Sequence, residues 1–310
     1  MKHPFMVLMA CVLLCACHRD PQVVEPQPPS TDSFGGWQRY TTNLGTNLTD
    51  IAFTGEARGF ACVESVGLVR SVDSGRTWQT IPSLPSDAQR LTKVLFTDDL
   101  HGYSIGLQSF AFTSDGGNNW VYHSFPGSGQ DLAFPVPQKG FAASQDGLYS
   151  TTDTGATWVR IQPGQWSSIH FTDALNGWAA AQGSGLYHTI NGGQTWTLTY
   201  QQVPAISDIF FLNASEGWAT SADASLLKTV NGGQTWQRIP LIAAAGDLQF
   251  LDENLGYATA GKMILKTTNG GVNWQTDCRL SDTELSQLFF LDAGNGWAVG
   301  ENHTILRWKH

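Results

Sequence analysis

The run Asp247-Leu248-Gln249-Phe250-Leu251-Asp252-Glu253-Asn254-Leu255-Gly256-Tyr257 is followed ten residues later by Thr267-Thr268-Asn269-Gly270-Gly271-Val272-Asn273-Trp274. Short apolar runs bounded by Asp, Asn and Gly clusters read as strands joined by tight turns. The stretch predicts strand A over Asp247–Leu251, strand B over Gly256–Ala260, strand C over Met263–Thr268 and strand D from Trp274.

The same landmarks recur along the chain, and recurrence at a fixed period outranks any single motif. Phe53, Phe96, Phe134, Phe171, Phe211, Phe250 and Phe290 are each followed six residues later by glycine and an aromatic residue. Those pairs are Gly59-Phe60, Gly102-Tyr103, Gly140-Phe141, Gly177-Trp178, Gly217-Trp218, Gly256-Tyr257 and Gly296-Trp297. Six of the seven units then carry Ser/Thr-x-Asp/Asn-x-Gly-x-Thr/Asn-Trp, which resembles the Asp-box. Its Asp/Asn positions are Asp73, Asp115, Asp153, Asn191, Asn231 and Asn269, spaced 42, 38, 38, 40 and 38 residues apart. In such a turn the Asp/Asn side chain accepts hydrogen bonds from the turn's own amides, and the glycine adopts a conformation that a Cβ resists. The Trp starts the next strand and covers apolar surface. These six positions are therefore read as structural turns, not as metal or sugar sites.

Units of about 40 residues with four strands are what propeller blades are made of. Seven of them predict an all-β, seven-bladed β-propeller of four-stranded blades with Asp-box turns. The seventh unit, Leu288 to His310, ends before a box or a strand D. Gly36-Trp37-Gln38-Arg39 reads like Trp236-Gln237-Arg238 of a strand D. The N-terminal strand is expected to complete the last blade and close the ring, removing exposed sheet edges.

Composition agrees. The 310 residues include 33 Gly, 12 Trp and 16 Phe, and only 14% are charged. Abundant glycine and aromatics suit an all-β chain rich in turns. The net charge of −9 argues against nucleic acid or an anionic membrane surface as main partner. Five cysteines are present. Cys62 and Cys278 alone fall in the body, where they read as buried small hydrophobes. At the N-terminus, Lys2 precedes an apolar run, Phe5 to Ala16, too short to span a membrane. It ends in Leu14-Cys15-Ala16-Cys17, which resembles a bacterial lipobox. The reading is a signal peptide over 1–16, an acylated Cys17, a tether over 17–36 and a propeller over 37–310. The tether holds Pro21, Pro26, Pro28 and Pro29 and at about 3.1 Å per residue spans on the order of 50 Å. The expected location is the cell envelope, outside the cytoplasm, with the lipid as the sole membrane contact.

Chain direction alternates through a blade, so its connections sort onto two faces. The A–B and C–D turns share a uniform face; the B–C and D–A loops share a variable one, where binding usually resides. The candidate binding residues there are Glu64, Asp146, Trp166, Tyr200, Lys262 and His303, with Trp166 as the leading anchor. Three residues before each marker phenylalanine stand Asp50, Lys93, Asp131, Ser168, Asp208, Asp247 and Gln287, at the mouth of the central channel. Asp50, Asp131, Asp208 and Asp247 are weak candidates for a hard cation such as Ca²⁺; loop capping is the competing reading. A further column, Arg70, Phe112, Ser150, His188, Lys228, Lys266 and Arg307, is read as structural, with stems along the sheet and charge in water.

Taken together, the seven Phe-x5-Gly-aromatic units with Asp-boxes resemble the photosystem II stability/assembly factor family and its relatives in non-photosynthetic bacteria. The resemblance covers residues 37–310. It implies a seven-bladed propeller, often secreted or lipid-anchored, that assembles or binds other proteins without catalysis or a cofactor. Photosynthetic members carry an arginine-rich patch; the ten arginines and negative charge here depart from that. A sialidase-like glycosidase or glycan binder is the alternative. Arg238-Ile239-Pro240 suggests a sialidase motif, but it follows the fifth box and echoes Ile81-Pro82 of the repeat. The expected partner is a protein or an envelope glycan on the variable face of a monomer.

Overall fold

A computed structural model describes residues 33–42, 44–85, 88, 90–183, 185–201 and 205–309. The signal segment, Cys17 and most of the tether lie outside the described residues. The fold is an all-β propeller of four-stranded blades in which every described strand pairing is antiparallel.

The sixth unit follows its sequence closely, with strands Leu248–Phe250, Gly256–Ala260, Met263–Thr267 and Gln275–Arg279. Units one, four and five likewise form four-stranded sheets of their own. The expectation of seven separate blades is corrected by units two and three. They share one six-stranded sheet, so the described strands form six sheets. The cause is a missing loop. The strand Val121–Val136 runs from strand D of unit two directly into strand A of unit three. Its first part pairs with Gly102–Thr113 and its second with Lys139–Ser144.

The last sheet has five strands. Trp37–Thr41 pairs with Thr304–Lys309 in the register Trp37↔Trp308 through Thr41↔Thr304. A short strand, Ser33–Phe34, pairs outside it. Within the described residues this sheet starts at Ser33–Phe34, inside the stretch expected as tether. Trp37 is buried against Tyr257, Phe290 and Trp308, and its indole Nε1 donates to Asp277 at 2.8 Å.

The repeat landmarks have a packing explanation. In six units the marker phenylalanine and the glycine six residues later are cross-strand partners, as Phe53↔Gly59 and Phe211↔Gly217. The ring lies flat on the glycine, where a Cβ would come within 2.4 Å of it at Gly217. The aromatic after the glycine reaches across to the next unit's marker phenylalanine. All seven such pairs are stacked, with centroids 3.6 to 4.9 Å apart. The last is Trp297 on Phe53, which joins unit seven to unit one. Offset aromatic stacking adds about 0.5–1.5 kcal/mol per pair beyond area burial, so the stacks hold neighbouring sheets face to face. Cys62 and Cys278 are buried free thiols.

Candidate binding site at the channel mouth

The six boxes are self-contained turns. In the first, the Asp73 carboxylate accepts Thr77 N and Ser71 Oγ, both at 2.8 Å, and Thr77 Oγ1 at 2.6 Å, while Ser71 Oγ accepts Gly75 N at 2.9 Å. The bonds to the amides recur at Asp115, Asp153, Asn191, Asn231 and Asn269. The Thr157 hydroxyl and amide hold the Asp153 carboxyl down at about 2. Each of the three aspartates spends its carboxylate inside its own turn.

The variable-face candidates do not converge. Trp166 is the clearest correction. It is 2% exposed, sits in the core with Leu148, Ile169 and Ala181, and lies 4.9 Å from the Tyr187 ring. It cannot serve as an exposed anchor, because it is the first residue of strand Trp166–Phe171. Five residues before the marker phenylalanines stand Leu48, Leu91, Trp166, Ile206, Ala245 and Leu285, all buried. That column is in the sequence and would have assigned Trp166 to the core. Glu64 and His303 do come together through one loop. Asn47 Nδ2 donates to Glu64 at 3.1 Å, and His303 Nδ1 donates to the Thr46 carbonyl at 2.7 Å. Asp146 is exposed and accepts Ser144 Oγ at 2.7 Å and Tyr149 OH at 2.6 Å. Tyr200 is half-buried against Trp236, and Lys262 donates to the Ser281 carbonyl at 3.0 Å. These last three stand in separate units.

The channel column is different, because its members act on one another. Each innermost strand starts beside the next, and the column side chain accepts the amide one position later in the following unit. Asp50 takes Val94 N at 2.7 Å, Asp131 takes Ile169 N at 2.9 Å and Ser168 Oγ takes Ile209 N at 3.2 Å. Asp208 takes Leu248 N at 3.1 Å and Asp247 takes Leu288 N at 2.8 Å. Lys93 cannot accept, and there Asp131 turns back to cap Leu132 N at 2.9 Å instead. Lys93 Nζ donates to Gln287 Oε1 at 2.9 Å. The residue before the column supplies the reverse bond: Thr49, Ser167 and Ser286 hydroxyls donate to carbonyls of the next unit at 2.7 to 3.0 Å. For Asp50, Asp131, Asp208 and Asp247 these bonds agree with capping, the reading that competes with a cation site. Among the described residues no three potential ligands converge on a metal position, and the carboxylates staple unit to unit.

Electrostatics follow from burying four carboxylates around one ammonium. Burial would lower the Lys93 pKa, but the carboxylates, Asp50 foremost, outweigh it and hold the ammonium above the ordinary lysine range. Burial pushes the Asp208 carboxyl up to about 6, against the lowering effect of Lys93. Burial and the neighbouring Asp208 also raise the Asp247 carboxyl well above the ordinary carboxylate range. The channel thus keeps its cation at all physiological pH values and resists full ionisation of its acids. On the variable-loop side it opens into a cavity of about 300 Å³ that Gln130, Ser167, Gln182 and Ser207 line together with Lys93 and Gln287. This mouth offers amide and hydroxyl groups of both hydrogen-bonding senses around a fixed positive charge. Sequence reasoning placed the column there but missed Gln130 and Gln182.

The basic column acts within units and, at Lys228, across them. Arg307 lies 3.9 Å over the Trp297 ring, and His188 stacks on Trp178 at 4.6 Å. Lys228 Nζ donates to the Gly270 carbonyl of the next unit's box at 2.9 Å. These charges are therefore committed to aromatic faces and neighbouring turns, where the sequence reading left them in water.

Compared with known families, the model described as "Photosynthesis system II assembly factor YCF48" matches residues 27–160 and 165–244. Among solved structures, one described as YCF48 bound to D1 peptide superposes with a TM-score of 0.73 at 19% identity, over 90% of this chain and 98% of that one. YCF48 from Cyanidioschyzon merolae gives 0.73 at 19%, over 88% and 99%. The GH74 enzyme of Niastella koreensis gives 0.71 at 14%, over 87% of this chain and 53% of that one. At these identities the structural likeness is one of fold. No curated protein matches the sequence.

Proposed function

This chain belongs to the Photosynthesis system II assembly factor YCF48 family, and from that premise we propose that it is a non-catalytic scaffold that takes an extended protein segment at the channel mouth. The observation that carries the reading is the mouth itself. Gln130, Gln182, Ser167 and Ser207 offer donors and acceptors suited to a peptide backbone, beside the fixed Lys93 ammonium. A relative of the same fold is described as bound to a D1 peptide, which supports a protein segment as the class of ligand. Turnover is disfavoured by what the carboxylates already do. General acid–base hydrolysis of a glycoside needs two carboxyl groups at a set separation with free access to the scissile bond. Here all four accept backbone amides between units.

The reading places the scaffold in the cell envelope, monomeric and held to a membrane by acyl chains on Cys17. It also has the strand Trp37–Thr41 close the ring, supported by its register on Thr304–Lys309 and by the stack of Trp297 on Phe53. The test is a photo-crosslinking residue at Gln182, beside one at Val159 on an outer strand, with adducts identified by mass spectrometry. A defined polypeptide adduct from position 182 and none from 159 is expected. Equal labelling from both, or none from 182, overturns the mouth as the site. In parallel, Cys17→Ala should move the protein from the membrane to the soluble fraction; unchanged association would refute the anchor.

A further inference from the structure

The uniform face makes turns, yet it carries most of the exposed large apolar side chains among the described residues. The two kinds of turn on it are joined within each unit: Gly116 N donates to Leu100 O, Gly192 N to Leu175 O and Gly232 N to Ser215 O at 2.8 to 2.9 Å. On this joined surface the second box residue is apolar in three units. Val72, Ile190 and Val230 are 67, 70 and 68% exposed. Val272 of the sixth box is also exposed, and so are Leu100 and Leu175 of the A–B turns. Val136 and Leu291 complete the set, so every unit contributes at least one. Among the described residues, eight of the thirteen exposed large apolar side chains lie here, and Leu107 and Ile242 are the two on the variable loops. Turn geometry does not ask for them. The box needs its Ser/Thr, Asp/Asn, glycine and Trp, and the second position points to solvent. Single exposed apolar residues are ordinary; a concentration on one face is not.

The same turns hold eleven carboxylates against three cations, Arg58, Arg76 and Lys139. All three fold back onto the protein: Arg58 donates to the Gly116 carbonyl at 3.1 Å, Lys139 lies 5.6 Å over the Phe141 ring and Arg76 lies 6.0 Å over the Tyr40 ring. Exposed acids such as Asp98, Asp99 and Glu253 remain between the apolar positions. An acidic surface studded with apolar side chains repels a second copy of this chain, whose net charge is −9, and repels an anionic bilayer.

We propose that this face is a docking surface for a basic, apolar-bearing protein segment, whose lysines or arginines meet the turn carboxylates and whose apolar residues rest on the ring of Val72, Ile190, Val230 and Val272. The inference rests on the scaffold reading but uses the face opposite the channel mouth, so the two fail separately. The test uses the full chain and two synthetic segments, one alternating lysine with leucine and one alternating glutamate with leucine. The parent should bind the lysine segment only, more weakly as salt rises. Val72→Ser, Ile190→Ser, Val230→Ser and Val272→Ser combined should weaken binding about tenfold or more at unchanged melting temperature. Should that variant fold poorly, Asp98→Asn with Asp99→Asn and Glu253→Gln should still weaken binding and flatten its salt dependence. Equal binding by parent and variants, or of both segments, overturns the proposal. So does adsorption to phosphatidylcholine vesicles, or self-association, that the serine variant loses while the lysine segment does not bind. Crosslinking from Gln182 is expected to be unaffected by these substitutions.

Discussion

Asp208 shows how one residue can be both staple and liability. Its carboxyl accepts Leu248 N and Ser168 Oγ, which a neutral amide could largely reproduce, yet burial raises it to about 6. A carboxyl whose folded value lies above its unfolded value near 3.8 binds more protons when folded. Stability from this group is then full below about pH 4 and falls as pH rises through 6. Asp208→Asn should therefore match the parent near pH 4 and exceed it above pH 6, by on the order of 2–3 kcal/mol. Thermal melts from pH 4 to 8 decide it: parallel curves for the two proteins would remove the argument. The box aspartates work in the opposite direction. Asp153, held at about 2, contributes above the unfolded value and is lost as pH falls toward 2, so the two sets of acids titrate in different windows.

At the scale of strands and turns, the repeat is a packing device that passes from one unit to the next. Gly217 is not at a positive φ; it is glycine because the Phe211 ring occupies the position of its Cβ. Gly217→Ala should push Phe211 off Trp178, on which it stacks at 3.6 Å, and cost about 1–3 kcal/mol in chemical denaturation. A variant as stable as the parent would mean that the ring can slide at no cost. Much of this level was legible in sequence. The six boxes, the strand bounds of unit six and the pairing of Trp37 with the last unit follow from spacing and turn chemistry. Two features were not. The run Phe125-Pro126-Gly127-Ser128 holds turn-forming residues, so nothing local announces that strand Val121–Val136 continues through it. Trp166 follows a polar loop, and local context outweighed the buried column to which it belongs. The channel column was placed, but its bonds cross between units some 40 residues apart and no local pattern encodes them.

For the molecule as a whole, the first and last described strands share one sheet. Deleting residues 33–41 would strip two strands from it, expose Thr304–Lys309 as an edge and empty the space that Trp37 fills between Phe290 and Trp308. The expected outcome is a broadened, less cooperative calorimetric transition with aggregation; a deletion variant that melts like the parent would show that the last sheet stands without its N-terminal strands. The same arrangement has a mechanical side. A pull applied upstream of residue 33 would load first Ser33–Phe34, which is joined to its neighbour at two register positions. Behind it, Trp37–Thr41 is joined at five and locked by a buried indole. A rising load would peel the short strand before it reached the long one, releasing a few residues while Trp37–Thr41 stayed paired with Thr304–Lys309. The outermost strand would thus give way first, as a fuse does, under a pull from the N-terminal side.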